Sequence, residues 1–124
     1  MKSRKIMVKS QTEKTKFRRS KKWLDFRKQL RKKQTTDPIT LKPLTKQANC
    51  HHMDFDENNY EKLIEDHFIM LNSTSHELIH FILGNGKHPN KDWNERIERL
   101  KELCLKHIEI NESLYTGETD NEEI

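Results

Sequence analysis

The chain has 124 residues, 35% charged and 31% hydrophobic, which predicts one small domain with a modest core. No apolar run approaches the roughly 18 to 20 residues that a membrane span needs, so no membrane partner is expected. The net charge of +4 hides a split: residues 1–33 carry 15 Lys/Arg against 2 Asp/Glu, whereas residues 34–124 carry 9 against 18.

A basic end on an acidic body points to a polyanion partner, and nucleic acid is the commonest. The plainer alternative is a solvated arm folded back on its own acidic body. The N-terminal stretch is basic but lacks the apolar region of a secretory signal. Cys50 and Cys104 form neither a CxxC knuckle nor a disulfide framework, which fits a reducing cytoplasm.

Taken in chain order, residues 1–19 read as a flexible basic arm that could order on phosphate. Ser20 is a plausible N-cap for a helix through about Lys33. Trp23, Phe26 and Leu30 form one apolar stripe of that helix, and Lys21, Lys22, Arg27, Lys28, Arg31 and Lys32 form a wet basic face. Asp37-Pro38 and Lys42-Pro43 punctuate the next segment, which predicts turns and a short irregular hairpin. "NCHHMDF" reads as a brief strand, "DFDENNY" as a polar loop, residues 60–65 as an optional helical turn, and "HFIMLN" as a second short strand.

Thr74 to Glu77 fits a capping box, with Thr74 capping the next helix and Glu77 reaching back. That helix runs to Gly84, a natural residue just past a helix end. A loop and a long helix from about Lys91 to Ile108 follow, the latter with a stripe of Trp93, Ile97, Leu100 and Cys104. The acidic end, residues 111–124, reads as a flexible tail.

Five of the seven histidines fall between Asn49 and Phe81. His76 and His80 are four apart, so on a helix they share a face and can chelate one ion. His76-Glu77-Leu78-Ile79-His80 is also the zinc-peptidase pattern, in which Glu77 would be the general base. A capping role for Glu77 and a helix that starts just before His76 argue against that reading. His51 and His52 are neighbours on a predicted strand and face opposite sides, so both cannot ligate one ion without distortion.

The whole stretch resembles the HNH nucleases, the ββα-metal family, in which two strands and a helix wrap one divalent ion. The resemblance rests on His51-His52, His67, His76 and His80. The separations are 25 from His51 to His76, 9 from His67 to His76 and 4 from His76 to His80. They are similar to the colicin DNase branch. "KKWLDFRKQL" and "DWNERIERLKEL" resemble the flanks of small phage-encoded HNH proteins, and the likeness covers residues 20–110.

What the resemblance implies is an α+β, mostly helical fold with a ββα-metal core, a basic helix before it and a long helix after it. It implies a metal-dependent endonuclease that hydrolyses DNA with low sequence specificity, in the host cytoplasm if phage-encoded. His51, His76 and His80 would hold the metal and His52 would be the base. His67, in place of the family's central asparagine, would bond loop backbone and so position His52.

The ion could be Mg, Mn, Zn, Ni or Co, and three imidazoles suit Zn, Ni or Co better than Mg. Arg18, Arg19, Lys21, Lys22, Arg27, Lys28 and Arg31 are the candidate DNA grips. A DNA-binding or packaging accessory on the same fold is the alternative function. Monomer and dimer are both compatible.

Many family members carry a structural zinc on two CxxC pairs. Here the corresponding positions read Asp37-Pro-Ile-Thr40 and Asn72-Ser-Thr-Ser75. No structural zinc is expected. Asp37, Thr40, Asn72 and Ser75 would instead form a hydrogen-bonded cluster, unless they are unrelated turn and cap residues.

Overall fold

The structure is a computed structural model that describes residues 11–59 and 61–116. The expectations for residues 1–10, for Tyr60 and for residues 117–124 lie outside the described residues. The fold is α+β, with a two-stranded antiparallel sheet among helices. The described residues fall into two compact units, one ending at Asn90 and the other starting at Lys91. Among the described residues, no helix is long and apolar enough to cross a membrane.

The first element among the described residues is α1, Gln11–Arg18, within the stretch expected to be a flexible arm. The physical reason is Phe17. It is buried, and its ring lies 5.8 Å from that of Trp23. One apolar anchor next to a following helix is enough to fold a segment that reads as polar on its own. Ser20 then caps α2, Lys21–Lys33, by accepting from the Trp23 amide, while its hydroxyl donates to the Phe17 carbonyl at 2.6 Å.

The predicted stripe of α2 does dock. Leu30 is buried with Ala48, Phe68 and Met70, and Trp23 and Phe26 pack against that cluster. Phe26 meets Phe68 edge-on at 4.9 Å. Gln34 closes the helix and acts as a piece of strand. Its side-chain amide donates to the Met70 carbonyl and accepts from the Met70 amide, each at 2.7 Å.

A tight hairpin follows, closed by a bridge between Thr36 and Pro43. Strand β1, Asn49–His52, pairs antiparallel with β2, Phe68–Leu71, placing His51 opposite Ile69 and His52 opposite Phe68. The loop between them makes short 3-10 turns at Glu57–Asn59 and Glu65–His67, not one helical turn at 60–65. Helix α3, Ser73–Leu83, lies against both strands.

The second unit is α4, Trp93–Ile110, and α5, Glu112–Tyr115. No residue of α4 is buried, and its predicted stripe of Trp93, Ile97, Leu100 and Cys104 is exposed. Residues 112–115 are helical where a flexible tail was expected.

Candidate metal centre

Strand alternation turns His51 toward α3, where it is buried, and the helical i, i+4 spacing brings His76 and His80 to meet it. The three imidazoles offer nitrogens that all lie within 4.8 Å of one another. The ring of His51 is 5.1 Å from that of His76 and 5.0 Å from that of His80, in edge-on arrangements. Nε2 of His76 and Nε2 of His80 are 3.1 Å apart.

The helix end fixes one tautomer. Nδ1 of His80 lies 2.8 Å from the Gly84 carbonyl oxygen, which can only accept. Nδ1 therefore carries the proton, and in the neutral ring Nε2 keeps the lone pair, facing the other two histidines. Burial, helped by the neighbouring His80, His76 and His52, lowers His51 to about 4. Burial also lowers His76. Both shifts favour the neutral imidazole that a metal requires. Converging neutral nitrogens of this kind fit a divalent ion, and an all-imidazole set favours Zn, Ni or Co over Mg.

A cleft of about 570 Å³ opens beside the triad and is lined by all three histidines and by His52. His52 stacks on its cross-strand partner Phe68 at 4.3 Å, with the rings 6° from parallel. The contact fixes the plane of the imidazole. His51 and His52 thus keep separate surroundings, one among metal-capable nitrogens and one on an aromatic ring.

The predicted DNA grips scatter. Arg18 and Arg27 line the cleft, and Lys14, absent from the expected set, joins them. Arg27 donates to the Ala48 carbonyl at 2.7 Å and Arg31 to the Thr45 carbonyl at 2.8 Å, so both brace the segment leading into β1. That departs from a wholly wet basic face. Lys21 pairs with Asp25 at 2.7 Å on the helix surface. Arg19 lies on the surface beside Lys16, and Lys22 and Lys28 are exposed.

His67 does not take its expected part. Its ring Nδ1 is buried with no hydrogen-bond partner among the described residues. The contribution of His67 is its main chain, whose carbonyl accepts from the Met53 amide at 2.7 Å and prolongs the strand pairing. The loop is organised by Asp54 instead. Its carboxylate accepts from the Asp56 amide and the Asn59 side chain.

The capping box is also corrected. The N-cap of α3 is Asn72, not Thr74, and no side-chain cap bond forms there. Glu77 is exposed and does not line the cleft, so neither its capping role nor a peptidase role at the metal ligands fits this arrangement.

The start of α3 is held by Asp37, which is fully buried. Its carboxylate accepts from the Asn72 amide at 2.9 Å, the Ser75 hydroxyl at 2.9 Å, the Thr40 amide at 3.0 Å and the Ile39 amide at 2.8 Å. Burial alone would raise its pKa, but these donors hold it at about 2. Asp37, Asn72 and Ser75 therefore meet, and Thr40 joins by its main chain. The Asn72 side chain reaches back to the Thr45 amide at 2.8 Å and the Pro43 carbonyl at 3.1 Å, tying the hairpin to the helix that carries His76 and His80.

Gly84 and Phe55, like Lys14, were not anticipated at the site. Gly84 contributes its carbonyl, although its expected role was only to end the helix. Phe55 lies 6.1 Å from His51 and 6.2 Å from His80, nearly parallel to the latter ring. An aromatic just past a histidine-bearing strand was the available signal. No protein family, curated protein or solved structure matches the chain.

Proposed function

We propose that the chain is a metal-dependent endonuclease of the HNH kind, built on a ββα-metal core and hydrolysing phosphodiester bonds in DNA. The observation that carries the reading is the convergence of His51, His76 and His80 within 4.8 Å, in one cleft with His52 and the cations Lys14, Arg18 and Arg27.

In this reading His51, His76 and His80 would hold one divalent ion. When bound, the ion supplies positive charge against the phosphate's developing charge and the leaving oxygen. His52, its ring plane set by Phe68, accepts a proton from the attacking water at an imidazole nitrogen. The water oxygen bonds to phosphorus, the bond from phosphorus to the leaving sugar oxygen breaks, and that oxygen takes a proton from solvent. Lys14, Arg18 and Arg27 hold phosphates without reading sequence.

The test is plasmid nicking with Mg²⁺, Mn²⁺, Ni²⁺, Co²⁺ or Zn²⁺, repeated with His52→Ala. The expected result is metal-dependent nicking that the variant loses. Nicking that survives His52→Ala removes His52 as the base. DNA retention without cleavage in any metal favours an accessory protein instead.

A further inference from the structure

We propose that the cleft beside the histidine triad takes single-stranded nucleic acid, with unpaired bases stacked on Trp23 and Phe55. The inference rests on the nuclease reading and names the substrate class of that site.

Both rings line the cleft and both are half-buried. Trp23 is clamped before any ligand arrives, at 5.8 Å from Phe17, 6.1 Å from Phe26 and 5.8 Å from Phe68. Trp23 packs on the edge of the buried cluster and also borders the cleft that carries Lys14, Arg18 and Arg27. Phe55 makes the stronger case. It stands outside the buried cluster of Leu30, Ala48, Phe68 and Met70 and beside the rings of His51 and His80. Its loop is pinned by the two carboxylate oxygens of Asp54. The result is a preset aromatic face one side chain away from the metal-capable nitrogens.

Cations along a groove with fixed aromatic rings are the two parts that single-strand binding requires. The cations take phosphates, and a ring takes the face of a base. In a duplex the base faces are already stacked on one another, so a duplex can offer this cleft only its backbone.

The experiment uses the full chain carrying Trp93→Phe, which leaves Trp23 as the sole tryptophan. Phosphorothioate oligothymidylate, which resists hydrolysis, is titrated in against its duplex with oligoadenylate of the same length, while tryptophan fluorescence and fluorescence anisotropy are followed. The expected result is saturable quenching of Trp23 by the single strand, bound at least about tenfold more tightly than the duplex, and a further loss of about tenfold in Phe55→Leu. Equal affinity for the two forms, or single-strand affinity unchanged in Phe55→Leu, overturns the inference. If plasmid duplex is still nicked in that case, the nuclease reading stands without it. If neither form is bound or cut, both fall.

Discussion

His80 is tied to Gly84 in both directions. The imidazole Nδ1 donates to the glycine carbonyl at 2.8 Å, and the glycine amide donates to the His80 carbonyl at 2.7 Å. The first bond decides which nitrogen faces His51 and His76. Gly84 sits at φ 78°, and a Cβ there would run into the His88 carbonyl and the Asn90 amide. Gly84→Ala must therefore shift the carbonyl. Metal affinity measured by calorimetry is expected to fall about 10- to 100-fold, the usual cost of losing a group that orients a ligand. Unchanged affinity would show that the carbonyl does not set the ligand.

Asp37 links the hairpin to α3 through four accepted hydrogen bonds. Asp37→Ala strands the buried Ser75 hydroxyl and three amides, and a loss of about 3 kcal/mol or more in urea unfolding is expected. Ser75→Ala removes one bond and should cost about 1 kcal/mol.

The same carboxylate makes an acid-stability prediction. Its folded pKa of about 2 lies below the ordinary 3.8. A depressed carboxylate contributes stability that is present above the unfolded value and lost as pH falls through the folded one. The decline is expected between about pH 4 and pH 2, and Asp37→Asn should flatten it. Thermal melts across that range check the slope. An identical slope in the variant would contradict the assignment.

Gln34 replaces a third strand at Met70, giving and accepting one bond with its main chain. Gln34→Leu fills similar space but leaves both Met70 groups unpaired. A destabilisation of about 2 kcal/mol by chemical denaturation is expected. A loss well below that would mean that water replaces the amide.

Glu77 is exposed and outside the cleft. Glu77→Gln should leave metal binding and nicking within twofold of the parent chain, on the order of the small effects usual at surface sites. Casein cleavage that depends on Glu77 would revive the peptidase reading.

The local patterns were legible because each element announces itself within a few residues. The alternation of His51 and His52, the four-residue step from His76 to His80, the Ser20 cap and the Gly84 stop need no distant partner. What escaped depends on residues far apart in sequence. Asp37 reaches across 35 residues to the Asn72 amide and moves the helix start ahead of Thr74, and Gln34 reaches 36 residues to Met70. Phe17 makes a helix of α1 only because Trp23 is there to receive it. The exposure of the α4 stripe was not legible, because an apolar stripe on a helix predicts burial.

His51, His76 and His80 are placed to hold a single ion. Calorimetric titration with Zn²⁺ tests it most directly, in the parent chain and in His51→Ala. One ion per chain is expected, with a loss of at least about tenfold in affinity when His51, the strand's contribution, is removed. Equal affinity in the two proteins, with one ion still bound, would contradict it.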